Sequence, residues 1–302
     1  MVEYVTSDNL QTAVERNPHL AEYLNNYRIS AQRTPTFVPV PDNSLRDVTA
    51  LDIIYPVGDP IFIHVYMDNG ARIYKPIEPD LTIEEQQFMD DVLMIILNFA
   101  ANYPPPESEE ILEKNLEDIY NRITSVGSAN KVKGMSATVR PELKEKLLYN
   151  IKKDVVGLGP LEPLIRDTHI EDISGIGAND IFIVHKIFGS IKARITFGDN
   201  DRLAIYSKRL SERVGRPVSD KVPIVDATLP DGSRLSIVYS SDVSARGPSF
   251  TIRKFADIPI SIVQLVNTTP CLQRRRLTCG WHWNMGRVSS YAGRLPAQKP
   301  QS

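Results

Sequence analysis

The stretch "PIVDATLPDGSRLSIVYSSDVSARGPSFTIRKF" (Pro223 to Phe255) decides the fold. Three short apolar-rich runs, "PIVDATL", "SRLSIVYS" and "SFTIRKF", are divided by a Pro-Asp-Gly turn and by a polar loop. Runs of this length bounded by turn residues predict antiparallel strands. Strand alternation puts Phe250 and Ile252 on one face of the last run, and Thr251 and Arg253 on the other. The sheet therefore has an apolar face that needs a covering layer and an opposite face that carries arginine.

Upstream, "DNDRLAIYSKRLSERVGRPV" predicts a helix stopped by Gly215 and Pro217. "DIFIVHK" and "IKARITF" predict two strands joined across Phe188-Gly189-Ser190, and "RPELKEKLLYNIKKDVVG" predicts another helix. "GLGPLEP" (Gly157 to Pro163) contains a GxG, but it follows a helix rather than a strand. It reads as a helix end and turn, not a phosphate loop. The polar "GSANKVKGMS" reads as a linker. Before it, "TIEEQQFMDDVLMIILNFAANY" opens with Thr82 and Glu85 in capping-box spacing, and Phe88, Val92, Ile95, Ile96 and Phe99 repeat at helical period. "PPPESEEILEKNLEDIYNRITSVG" predicts a further helix with Ile111, Leu116, Ile119 and Ile123 along one stripe. "IIYPVGDPIFIHVYMDNGARIYKPIEP" predicts two strands around an Asn69-Gly70 turn. The first 35 residues predict a short helix, capped at Ser7, and an extended linker.

The expected class is α+β: two small domains, each an antiparallel sheet with helices, over residues 1–134 and 135–266. Length and ordinary composition fit two soluble domains. The polar, acidic start contains no signal-peptide pattern. The longest apolar run, Val92 to Ala101, has about half the length of a membrane span.

The five histidines follow no metal-ligand spacing, and no nucleophile motif or GxxxxGK(S/T) occurs, so no catalytic or metal residue is expected. Arg234, Arg246 and Arg253 are the better candidates. Arginines close together on neighbouring hairpins can receive phosphate oxygens through their forked donors. The alternative is pairing with local carboxylates such as Asp231 or Asp242, or simple exposure to solvent.

The motifs "G.GPLEPLI.D..IEDI", "LPDGSR" and "FTIRKF", spread over roughly Lys144 to Pro270, resemble the type II/IV secretion system ATPases, archaeal members in particular. These are the hexameric motors of secretion, pilus assembly and the archaeal flagellum. The resemblance implies N-terminal domains that cover ATP and Mg held by a RecA-like motor domain. It implies that Arg234, Arg246 and Arg253 face the nucleotide phosphates. It further implies a homo-hexamer, an inner-membrane platform protein as partner, and a cytoplasmic location peripheral to the membrane.

After "NTTP" the chain departs from the family pattern, and no motor-domain motif follows. Residues 267–302 are expected to be an aberrant tail. The last 32 residues hold both tryptophans and both cysteines, with six basic and no acidic side chains; against the overall −2, the preceding 270 residues carry −8. That acidic body argues against a nucleic-acid partner. Trp and Met have single codons, so "GWHWNMG" shifted by one base is forced to contain Ala-Leu-Glu and a later Gly. Neighbouring codons permit an Ala-rich helix, a buried strand and a loop close to a phosphate loop, except at its second glycine. The tail is therefore read as a frameshift of the motor domain, and the chain as an N-terminal fragment, inactive by itself, that binds no nucleotide tightly alone. The second reading is a stand-alone interaction module whose basic aromatic tail binds an anionic surface or nucleic acid.

Overall fold

The computed structural model describes residues 10–101, 103–106, 108–239 and 247–255. The chain has the α+β class expected. Its first element, α1 (Leu10–Arg16), is followed at once by α2 (Pro18–Ala31), where a linker was expected. Pro18 sits at the first helical position, where its fixed φ suits a helix and its missing N–H costs nothing. Leu20, Tyr23, Leu24 and Tyr27 share the inward side of α2. Tyr23 donates to His64 Nδ1 (2.8 Å), His64 Nε2 donates to Asp52 (2.7 Å), and Tyr27 donates to the other Asp52 oxygen (3.1 Å).

The segment expected as two strands forms three: β2 (Asp52–Gly58), β3 (Ile61–Asp68) and β4 (Ala71–Ile77), with the short β1 (Thr36–Phe37) alongside β2. Pro56-Val57-Gly58-Asp59-Pro60 holds a second hairpin, whose Gly58 takes φ 120°. The Asn69-Gly70 turn forms as expected, with φ of 50° and 82°. Then come α3 (Ile83–Ala100), opened by the predicted capping box, and α4 (Glu109–Ile123). The stretch expected as a linker is instead part of a small sheet of β5 (Thr124–Val126), β6 (Lys131–Lys133) and β7 (Ser136–Val139), in the order β5-β7-β6. Lys131 and Lys133 keep the β6 edge polar, which is why it reads as loop. Helix α5 (Pro141–Val155) closes a core of Met89, Val92, Ile96, Leu116, Ile119, Tyr120, Val139, Leu143 and Leu147.

The remaining elements are α6 (Glu162–Arg166), β8 (Ile170–Ile176), β9 (Ile181–His185), β10 (Gly189–Ala193), α7 (Asn200–Arg213), β11 (Ile224–Thr228), β12 (Arg234–Val238) and β13 (Ser249–Arg253). One ten-stranded sheet runs β1-β2-β3-β4-β10-β9-β8-β13-β12-β11. It crosses the boundary expected at 134/135 through a parallel pairing of β4 with β10, Ile73 opposite Lys192 and Tyr74 opposite Ala193. The described residues belong to one compact unit. Among the described residues, no helix is long and apolar enough to cross a membrane.

The inner face of the sheet (Tyr55, Ile63, Tyr74, Ile173, Ile183, Ile191, Leu235, Ile237, Phe250, Ile252) is buried beneath Leu164 of α6 and Leu203 and Leu210 of α7. On the outer face, α1 and α2 cover only the β2–β4 end, through Ala13 and Leu20 against Ile54, Phe62 and Ile77. Over β11, β12 and β13 that face is open: Asp226, Thr228, Arg234, Thr251 and Arg253 are exposed.

The two halves of the sheet meet at a buried carboxylate. Asp167, 1% exposed, accepts from Tyr55 (2.7 Å) and Tyr74 (2.9 Å) on one oxygen, and from the His169 N–H (2.8 Å) and Nδ1 (3.1 Å) on the other. Burial pushes its pKa up, but the bonds from His169 and Tyr55 outweigh that and hold it below the ordinary carboxylate value. His185 Nδ1 accepts from the Ile187 and Phe188 N–H groups, so Nε2 carries the proton and donates to the Tyr55 hydroxyl (3.2 Å). Burial lowers the His185 pKa to about 4, against the opposing pull of Asp167.

Two outcomes follow from this packing. A Cβ at Gly175 of β8 would land on the ring of Phe250, its partner on β13, so Gly175→Ala should cost about 1–3 kcal/mol in denaturant unfolding. His185 stays neutral in the fold while the unfolded chain protonates near 6.5, so stability falls as pH drops from 6.5 towards 4. The Asp167 contribution is lost only at still lower pH, as its carboxyl protonates through its depressed folded pKa. Between pH 7 and about 4.5 the His185→Gln variant should lose about 2 kcal/mol less stability than the native chain; equal pH slopes would contradict the assignment.

Candidate functional site

The three motifs "IEDI", "LPDGSR" and "FTIRKF" converge at one end of the open sheet face. β13 lies between β8 and β12, with Arg253 opposite Asp172 on one side and Arg234 on the other. The β11–β12 turn is built locally. Asp231 accepts from the Ser233 N–H (3.0 Å) and hydroxyl (2.7 Å), and Gly232 takes φ 86°. The Phe255 N–H donates to the Ser233 hydroxyl (3.1 Å), and its ring lies against Gly232, which has no side chain to obstruct it. Lys254 donates to the Asp167 carbonyl (2.6 Å), so the end of β13 is anchored to the buried joint.

Asp231 is thus engaged by Ser233 rather than by an arginine. Arg253 pairs instead with Asp172, its Nε donating to Oδ1 at 3.0 Å. The Arg234 side chain makes no hydrogen bond or ion pair among the described residues and is exposed. Arg246 and Asp242 lie outside the described residues, as does the segment 267–302.

Arg234 and Arg253 are direct cross-strand partners on the outer face. Like charges in that register repel and destabilise a sheet. They line an open groove of about 760 Å³ together with Asp226, Ser236, Thr251 and Arg216, a rim residue whose Nη1 donates to the Asp226 carbonyl (2.7 Å). Three guanidiniums against Asp226, the one carboxylate of the lining, and Asp172, paired with Arg253 beside it, leave the groove net positive and suited to an anion. Arg216 and Asp172 were not among the sequence candidates. Asp172 could be found only through the β8–β13 pairing, which spans 81 residues.

The GLGP loop is the helix end and turn expected. The Gly157 N–H bonds back to the Lys152 carbonyl, the Leu158 N–H to Glu162, and Tyr206 donates to the Leu158 carbonyl. The Gly157 and Leu158 amides are therefore not free for phosphate.

One cluster has ligand-type side chains gathered within 4.8 Å: Asp167, His169 and His185. Its chemistry does not suit a metal. The two N–H groups aimed at His185 Nδ1 hold the proton on Nε2, the nitrogen that faces the cluster, so no lone pair is directed there. Both Asp167 oxygens are already filled by donors.

No family model matches the chain. Among curated proteins it is similar to three from Methanocaldococcus jannaschii. It shares 44% identity over 284 residues with uncharacterized protein MJ0900, covering 88% of this chain and 51% of that protein. Uncharacterized protein MJ1288 is 28% identical over 179 residues, covering 58% of this chain and 66% of that one; MJ0781 is 24% identical over 227 residues, covering 64% and 31%. The chain thus spans about half the length of MJ0900. Among solved structures, the VirB11 ATPase of the Brucella suis type IV secretion system, in complex with sulphate, aligns with a TM-score of 0.32 and 20% identity. That alignment covers 42% of this chain and 43% of that one, a likeness too partial to assign a fold or an activity.

Proposed function

We propose that this chain is the N-terminal part of a type II/IV secretion ATPase, and that its arginine groove meets the phosphates of a nucleotide held by a motor domain. The observation that carries this reading is the cross-strand pair Arg234–Arg253 on an uncovered sheet face. Two guanidiniums held side by side are unfavourable alone and favourable around a polyanion. The pair sits where the three family-like motifs converge. In this reading Arg246, which lies outside the described residues, joins them.

The arginines neutralise phosphate charge and, by bridging to a second domain, couple nucleotide state to domain closure. None of them activates water. ATP with Mg is the ligand class, a homo-hexamer at the cytoplasmic side of the membrane is the assembly, and an inner-membrane platform protein is the partner. The sequence contains no GxxxxGK(S/T), so this chain by itself lacks the backbone cradle that hydrolysis needs.

Two measurements test the proposal. In calorimetric titration with tripolyphosphate, Arg234→Gln and Arg253→Gln should each weaken binding by about tenfold, the loss of one charge-assisted contact of roughly 1.5 kcal/mol. Arg202→Gln, on the far side in α7, should leave affinity unchanged; equal affinities for all variants would contradict the proposal. The purified chain should show no Mg-dependent ATP turnover, and turnover abolished by Arg253→Gln would overturn that part of the reading.

A further inference from the structure

The contact between Asp172 and Arg253 is made at one particular nitrogen. Asp172 accepts from Nε, at 3.0 Å, and not from the terminal nitrogens. Nη1 and Nη2 of Arg253 make no hydrogen bond among the described residues, and the side chain is 74% exposed. Asp172 itself is more enclosed, at 27% exposure, and stands on β8 directly across from Arg253. A guanidinium held at Nε keeps the paired terminal N–H groups pointing away from its holder, as a fork with a fixed direction. Arg253 lines the groove beside Arg234.

An exposed arginine on a bare strand face has many rotamers, and ordering one on binding costs affinity. Asp172 removes part of that cost beforehand. It also opposes an anion electrostatically, because it brings a negative charge near the groove. The two effects have opposite signs, so the sign of a mutational change separates them.

We infer that Asp172 is a positioning residue that pre-orients the Arg253 fork for a polyphosphate bound in the groove. The inference rests on the function proposed above. Removing the acceptor in Asp172→Ala frees the Arg253 side chain and weakens binding. Asp172→Asn keeps a carbonyl oxygen for Nε while deleting the charge, so it preserves binding.

The test is calorimetric titration of the full chain with tripolyphosphate at fixed low salt, with thermal melting to confirm that each variant folds. Asp172→Ala is expected to bind about two- to tenfold more weakly than the native chain, the range for ordering one long side chain. Asp172→Asn is expected within about twofold of native. In an Arg253→Gln background, where only the electrostatic effect of Asp172 is left, Asp172→Ala is expected to weaken binding no further. Tighter or unchanged binding by Asp172→Ala, with Arg253→Gln still weakened, overturns the positioning role and leaves the groove's function standing. A native chain that binds no tripolyphosphate overturns the proposed function and this inference together.

Discussion

The fold depends on one buried carboxylate. Asp167 stands three residues before β8 begins, yet its four donors come from β2 (Tyr55), β4 (Tyr74) and the turn leading into β8 (His169). A carboxylate out of water costs several kcal/mol unless its lone pairs are filled. Here all are filled only when β2–β4 and β8–β10 stand side by side. The parallel β4–β10 pairing rests on just two register pairs, Ile73–Lys192 and Tyr74–Ala193, and Tyr74 belongs to both the pairing and the carboxylate. Asp167 thus selects the one arrangement in which two otherwise separate hairpin systems share a core.

The same residue governs the candidate site at one remove. Lys254 bonds the Asp167 carbonyl, so the end of β13 is held in place one residue after Arg253. Arg253 then meets Asp172 on the strand beside it, and Phe255 closes on the Gly232 turn that launches Arg234. The apolar side of these strands is packed against α7 and the residues before it, through Phe250 with Tyr206 of the helix and with Phe197 ahead of it, which leaves the arginine side facing outward. A rigid inner face and an anchored strand end keep two like charges adjacent that would otherwise move apart.

Local features of this architecture were legible in the sequence. The Asn69-Gly70 turn, the Thr82–Glu85 capping box, the helix of Asn200–Arg213 and the alternation that sends Arg253 outward all depend on neighbours within a few residues. Helix α2 was missed although Leu20, Tyr23, Leu24 and Tyr27 repeat at helical spacing, because the prolines further on suggested an extended segment. The β6–β7 hairpin was missed because its edge is polar and short. The union of two expected domains into one sheet was not legible, since it arises from contacts such as Tyr55–Asp167, 112 residues apart. Of the candidate site, the sequence pointed to Arg234, Arg246 and Arg253 as arginines close together on neighbouring hairpins. Their register as direct partners, the Arg216 rim and the Asp172 contact appear only once β8, β13 and β12 are laid side by side.

In the proposed function Arg234 and Arg253 act together as one anion-binding pair. Their cooperation can be read from the arginine Nε–Hε resonances of the isotopically labelled chain during titration with tripolyphosphate. The Arg234 and Arg253 signals should move together along one saturable curve while those of Arg28 and Arg202 stay fixed. Shifts spread evenly over the surface arginines, or confined to residues outside the groove, would contradict it.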